Sequence, residues 1–286
     1  MTMDDINING KAIYTTKGAA REYGRVGCNF YTGCPHECSY CYLKRGAPSK
    51  QLGGNVVQLK KCFKDEEDAI WKLKQDAVKY LYELRQTGVF FSFTTDPLIP
   101  ETRDLTLHAT MALSQMGIPV RILTKCADWL DTSFGNNLLE LNVFDNIYIG
   151  FTLTGRDDLE PKASSNLDRV KAMRILHASG FKTWVSIEPV IDWKSASMMI
   201  GLSLDCCDHY KIGLRSGVKK DYYDLVGSGM YLDDLTKKIT GAGKTVYLKE
   251  SARALLRRCY KEKYYNEILS RTVDMDGNKI TFTTTN

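Results

Sequence analysis

Ala112-Leu113-Ser114-Gln115-Met116-Gly117-Ile118-Pro119-Val120-Arg121-Ile122-Leu123-Thr124-Lys125 contains the unit from which the fold can be read. Ahead of Gly117, apolar residues recur at Leu105, Ala109, Ala112 and Met116, the spacing of a helix with one face on a core. Gly117 stops that helix. Val120 to Leu123 is short and β-branched, as a buried strand should be, and it ends on the polar pair Thr124-Lys125.

The same helix, glycine and strand succession recurs at Gly88, Gly180 and Gly243, ahead of Val89 to Phe93, Thr183 to Ile187 and Thr245 to Leu248. Arg25 to Phe30 reads as a first strand, and Ile147 to Leu153 and Tyr210 to Leu214 as two more. Core-facing helical stripes run through Ile70, Leu73, Ala77, Leu81 and Leu84, and through Leu167, Val170, Met173 and Leu176. Ser165 with Asp168 resembles a capping box, and Gly180 suits a left-handed C-terminal cap. Such alternation predicts parallel strands joined by right-handed crossovers, in a barrel or an open doubly wound sheet. Two features favour the barrel. No G-x-G-x-x-G follows the first strand. The strands also end in polar groups, at Thr94-Thr95-Asp96, Thr124-Lys125, Thr152 and Thr154, Ser186 and Glu188, and Lys249-Glu250, which a barrel would gather at its C-terminal mouth.

With 286 residues, 43% hydrophobic and 26% charged, the chain can bury a core without staples, which excludes disorder as its main state. No run approaches the ~20 apolar residues of a membrane span, and Met1 to Asn9 lacks signal-peptide features, so a cytoplasmic protein with no membrane partner is expected. A net charge of +5 names no partner by itself. Of nine cysteines, six are scattered and read as buried hydrophobes. Cys34, Cys38 and Cys41 are clustered at C-x3-C-x2-C spacing. Three thiolates can grip one [4Fe-4S] cubane and leave an iron open for an exogenous ligand. The rival is zinc, with Cys28 or His36 completing a tetrahedral set, which would make the protein a non-catalytic scaffold or nucleic-acid binder.

The string Asn29-Phe30-Tyr31-Thr32-Gly33-Cys34-Pro35-His36-Glu37-Cys38-Ser39-Tyr40-Cys41-Tyr42 resembles the signature of radical S-adenosylmethionine (SAM) enzymes. It is most similar to the branch containing spore photoproduct lyase and its DNA-repair-photolyase-like relatives. The similarity continues through Thr94-Thr95-Asp96-Pro97, Leu123-Thr124-Lys125, Leu159-Glu160-Pro161 and Glu188-Pro189-Val190-Ile191, and covers Tyr23 to Gly213. It implies an α/β fold, a partial (β/α)6 TIM-like barrel, with an N-terminal extension over 1–24, the barrel over 25–250 and a C-terminal helix and β-hairpin extension over 251–286. It further implies a lyase or oxidoreductase in which Cys34, Cys38 and Cys41 hold a [4Fe-4S] cluster and SAM chelates its fourth iron. An electron, from a donor such as flavodoxin or ferredoxin, would then cleave SAM to a 5′-deoxyadenosyl radical that abstracts hydrogen from a substrate.

Carried onto this chain, the resemblance places Tyr40 near the adenine and Thr94, Thr95 and Asp96 at the methionine amino group. Lys125 would pair with the methionine carboxylate. Thr152 and Thr154 would bond the ribose or carboxylate, with Ser186 and Glu188 completing a polar wall. Lys249 and Glu250 lie beyond the secure similarity and read as a surface ion pair. One departure bears on the substrate: where spore photoproduct lyases carry a hydrogen-donating cysteine before the Ser/Thr-Asp string, this chain has Phe93, which cannot return a hydrogen atom. Thymine-dimer reversal by that route is therefore not expected. Arg253 to Tyr265 interleaves basic and aromatic residues, a pattern suited to phosphates and bases, and Lys60-Lys61, Lys219-Lys220 and Lys237-Lys238 could extend a basic surface. A nucleic acid, nucleotide or nucleobase is the expected substrate; a peptide, protein side chain or small metabolite is the alternative. Val273 to Phe282 reads as a hairpin with an Asp-Gly turn.

Overall fold

The computed structural model describes residues 6–46, 49–132, 135, 145–219 and 221–281. Eight strands form one sheet in chain order: β1 (Ile13–Thr15), β2 (Val26–Cys28), β3 (Val89–Phe91), β4 (Val120–Thr124), β5 (Ile147–Thr152), β6 (Lys182–Val190), β7 (His209–Leu214) and β8 (Thr245–Leu248). From β2 to β8 every neighbouring pair is parallel, while β1 adds to the edge of β2 antiparallel. The sheet is an open barrel with β1 and β8 as its edges. All polar ends of the parallel strands consequently lie on one rim.

The local causes are those of the quoted unit. Gly88, Gly117, Gly180 and Gly243 each adopt positive φ, between 67° and 88°, where a side chain would be strained. Each turns a helix back toward the next strand. The helices are α1 (Glu66–Lys79), α2 (Leu81–Thr87), α3 (Arg103–Gln115), α4 (Asn166–Ala178), α5 (Trp193–Ser203), α6 (Leu225–Gly241), α7 (Glu250–Cys259) and α8 (Glu262–Ser270). Side chains of Asp65, Ser165, Asp192 and Asp224 accept from backbone N–H groups at the starts of α1, α4, α5 and α6, each cap contributing about 1 kcal/mol. Apolar strand residues such as Val120, Ile122, Ile149, Phe151, Val185 and Ile212 form one core with Leu73, Leu105, Met173 and Leu232 from the helices.

Two sequence expectations need correcting. Leu167 is 55% exposed, because the inward positions at the start of α4 belong to Asn166 and Arg169, which serve the site described below. The C-terminal hairpin is a turn closed by one bridge, Val273 to Lys279, with the Asp274 carboxylate accepting from the N–H groups of Asp276 and Asn278. Phe282 and Lys220 lie outside the described residues. The turn covers the barrel end opposite the rim, where Asp276 pairs with Arg25 at 2.7 Å. No helix among the described residues is long and apolar enough to cross a membrane.

Candidate cofactor site

Directly after β2 the chain forms a two-stranded ribbon, Tyr31–Thr32 with Gln58–Leu59, and then the cysteine loop. Gly33 has φ +83°, and a Cβ there would sit 2.1 Å from the Val56 carbonyl oxygen, so only glycine passes. The loop is pinned by backbone bonds from Cys34 N to Gly54 O (2.9 Å) and from Ser39 N to Leu159 O (3.0 Å). Cys34, Cys38 and Cys41 all line one cavity of about 430 Å³ at the rim, a size that suits a cofactor. Burial pushes the Cys34 thiol up to about 11 and raises Cys38 as well, so both are protonated at neutral pH until a metal displaces the proton.

Of the two residues proposed to complete a zinc set, His36 lines the cavity with its ring nitrogens already engaged, and Cys28 lies outside it. His36 uses both ring nitrogens, Nδ1 with the Lys162 carbonyl and Nε2 with Asp96 Oδ2, each at 3.0 Å. Cys28 is fully buried in β2 and does not line the cavity. Among the described residues no three His, Cys, Asp or Glu side chains converge on a single ion.

Asp96 locks the loop to the rim. Its Oδ1 accepts from Leu98 N (3.0 Å) and the Thr124 hydroxyl (2.6 Å), and its Oδ2 from Lys125 N (2.7 Å) and His36. Burial alone would raise its pKa, but the bonds from His36, Thr124 and Leu98 outweigh burial and hold it at about 2. With both oxygens so engaged, the carboxylate orders protein around the cavity and has little left to offer an ammonium group. Thr95 differs: it lines the cavity and its buried hydroxyl has no hydrogen-bond partner. Thr94 does not line the cavity, and its hydroxyl donates to the Tyr31 carbonyl.

Lys125 also lines the cavity, with Nζ 5.7 Å from the Tyr40 ring centre, and forms no ion pair among the described residues. Burial would lower its pKa, yet Cys38 and Glu160 raise it, so it stays a cation. Tyr40 donates its hydroxyl to Glu160, and Glu160 pairs at 2.8 Å with fully buried Arg169. Arg169 in turn donates to the Thr152 carbonyl (2.8 Å) and the Lys125 carbonyl (3.1 Å). One buried network thus fixes the aromatic ring, the cation and the end of β5 together. Thr152 lines the cavity; Thr154 does not, and its hydroxyl accepts from Arg156 N at 3.2 Å.

The opposite wall is built on Tyr23, whose hydroxyl bonds Ser186 Oγ (2.9 Å) and the Glu188 carboxylate. Glu188 pairs with Lys249 Nζ at 2.6 Å, and that ammonium lies 4.1 Å from the Tyr23 ring centre. Glu188, Lys249 and Tyr23 line the cavity, whereas Ser186 sits behind Tyr23, fully buried. The surface ion pair expected for Lys249 and Glu250 is absent: Lys249 is 3% exposed and faces Glu188, and Glu250 pairs with Arg253 and Arg257. Phe90 and Phe93, 4.5 Å apart between ring centres, form an apolar patch of the lining. Cys126 is buried, does not line the cavity, and burial pushes its thiol up to about 12.

Sequence reasoning missed Tyr23, Arg169 and the inward turn of Lys249. Lys249 carried a signal, being a charged residue directly abutting an apolar strand; Tyr23 lies in a segment without periodicity.

No family model matches the sequence. An uncharacterized protein of Methanocaldococcus jannaschii is 25% identical over 171 residues, 57% of this chain and 59% of that one. Among solved structures, Streptococcus suis SuiB bound to S-adenosylmethionine superposes with a TM-score of 0.51 at 13% identity, over 76% of this chain and 48% of that chain. SuiB bound to precursor peptide SuiA gives 0.52 at 14% identity, over 76% and 46%. A spore photoproduct lyase double mutant with bound AdoMet and dinucleoside spore photoproduct gives 0.53 at 17% identity, over 73% and 61%. The chain therefore spans less than two thirds of each of these relatives. Its partial barrel, with three cysteines at the rim, has the fold of the radical SAM enzymes.

Proposed function

We propose that this chain is a radical SAM enzyme in which Cys34, Cys38 and Cys41 hold a [4Fe-4S] cluster. The observation that carries this reading is the joint lining of one cavity by three cysteines, a hydroxyl at Thr95 and a cation at Lys125 that have, among the described residues, no hydrogen-bond partner and no ion pair respectively. An all-thiolate donor set suits an iron–sulfur cluster, and three ligands leave one iron to SAM. When bound, the cluster supplies the electron that breaks the sulfonium bond of SAM, giving methionine and a 5′-deoxyadenosyl radical.

The chain's own residues bind, orient and exclude water. The Thr95 hydroxyl hydrogen-bonds the methionine amino group, and Lys125 pairs with the methionine carboxylate. Tyr40, held by Glu160, packs beside the adenine, with Thr152 at the ribose. Glu188, tied to Lys249 and Tyr23, closes the far wall, while Phe90 and Phe93 keep water and stray hydrogen donors from the reacting carbon. Asp96, Thr94, Thr154 and Ser186 position these groups. Phe93 makes thymine-dimer reversal through a cysteine donor an unsuitable activity for this site. A flavodoxin- or ferredoxin-type carrier in the cytoplasm fits as electron source, and the division into 1–24, 25–250 and 251–286 belongs to the same reading.

The test is anaerobic incubation of reconstituted protein with SAM and dithionite. Production of 5′-deoxyadenosine, abolished by Cys34→Ala, Cys38→Ala or Cys41→Ala, is expected. Equal production by any of these variants would remove that cysteine from the cluster.

A further inference from the structure

We propose that the segment Gly18 to Tyr23 is a gate over the cofactor cavity, latched by Glu22, that swings out to admit the substrate and closes behind it. The proposal rests on the reading of that cavity as catalytic. The barrel is open between its edge strands β1 and β8, and the connection from β1 to β2 reaches across to the far edge. Its single helical turn, Gly18–Glu22, brings Ala19 and Ala20 into the cavity lining. Ala19, Tyr42 and Ser216 are the lining residues that are also exposed, so the turn forms one lip of the mouth.

The base and the tip of this segment are held differently. At the base, buried Thr16 donates from its N–H to the Arg25 carbonyl (2.9 Å) and from its hydroxyl to the Gly24 carbonyl (2.6 Å). At the tip, Glu22 Oε1 accepts from the Tyr247 hydroxyl (2.8 Å) and from Glu250 N (2.7 Å), and the Glu22 carbonyl accepts from Lys211 Nζ (2.7 Å). Those partners belong to β8, the first residue of α7, and β7. Three bonds on one residue make Glu22 the latch. Between base and tip the turn buries none of its residues, and Gly18, at φ +58°, has open space where a Cβ would stand. An element with little buried apolar surface, held by polar bonds that water can replace, opens at low cost in free energy. Tyr23 carries the movement inward, because its ring lies 5.5 Å from that of Phe90 and its hydroxyl bonds Glu188 and Ser186. Withdrawing it removes one wall of the cavity; returning it shuts out water.

Cys38 and Cys126 provide a matched pair of reporters, since both are 7% exposed but only Cys38 lines the cavity. The test is alkylation of the metal-free full chain by N-ethylmaleimide, with each modified cysteine quantified by peptide mass spectrometry. Glu22→Ala should speed reaction at Cys38 by about 10-fold and leave Cys126 unchanged. Glu22→Gln keeps an Oε1 that accepts from both donors and should raise the Cys38 rate by less than about 3-fold. Tyr247→Phe, which deletes one latch bond and little else, should raise it by about 3-fold or more. A Cys38 rate indifferent to Glu22→Ala and Tyr247→Phe, a Cys126 rate that rises in parallel, or a Glu22→Gln protein as reactive as Glu22→Ala would each overturn the gate. Because the protein carries no metal in this assay, a failed gate leaves the cluster test untouched, and a failed cluster test leaves the gate standing.

Discussion

Replacing Asp96 by Asn removes the charge that ties the cysteine loop to the rim while keeping the side-chain shape. The hydrogen bonds hold this carboxylate at about 2 against 3.8 for a free Asp, a preference for the ionised form of roughly 2 to 3 kcal/mol. All four of its partners are donors, so an amide nitrogen in either orientation meets two of them and leaves hydrogen bonds unmade, at about 1–3 kcal/mol. The lost charge and the unmade hydrogen bonds are overlapping interactions, so the expected destabilisation is about 2–4 kcal/mol. Because the folded pKa is depressed, this stabilisation is complete above the unfolded value of about 4 and disappears as pH falls through about 2. Urea unfolding of the full chain at pH 7 and at two acidic pH values measures both effects. A loss below about 1 kcal/mol at pH 7, or an acid profile unchanged from the parent, would refute the lock.

Further predictions concern the cavity and the interior. Lys125→Ala should weaken SAM binding by roughly 1.5–3 kcal/mol, the range for a charge-assisted bond; an unchanged dissociation constant takes it out of the site. Gly33→Ala forces a Cβ onto the Val56 carbonyl, and the variant should fail to retain iron under conditions that load the parent, with normal iron retention counting against the tight turn. Lys211 is buried beside Arg121 and Lys249, and burial lowers its pKa to about 7. The unfolded chain therefore binds the extra proton between pH 7 and about 10, so stability gains up to about 1.4 kcal/mol per pH unit from this group there. Lys211→Met should flatten that rise in urea midpoints; an identical pH profile would show that Lys211 is charged in the fold. Dimer-containing DNA should remain unrepaired over many turnovers, and robust repair would show that Phe93 does not occupy the donor position.

The strand and helix order was legible because it rests on local chemistry. Four glycines in left-handed turns and the period of residues such as Leu73, Met173 and Leu176 identify helix, stop and strand without tertiary knowledge. The cysteine cluster was legible from spacing. What the sequence could not show is which polar strand-end groups look inward and which are already satisfied. Thr94 and Thr95 are adjacent and identical, yet one spends its hydroxyl on Tyr31 and the other keeps it. Lys249 was misplaced because its partner, Glu188, is 61 residues away in sequence. Leu167 was misplaced because Asn166 and Arg169 take the inward face for the network that holds Tyr40.

The central claim, three thiols gripping a cluster with one iron open to SAM, is tested most directly by electron paramagnetic resonance of the anaerobically reconstituted, reduced protein before and after SAM is added. About four irons and four sulfides per chain, and a signal whose shape changes on addition of SAM, are expected. A signal indifferent to SAM, or protein that takes up no iron, would contradict it.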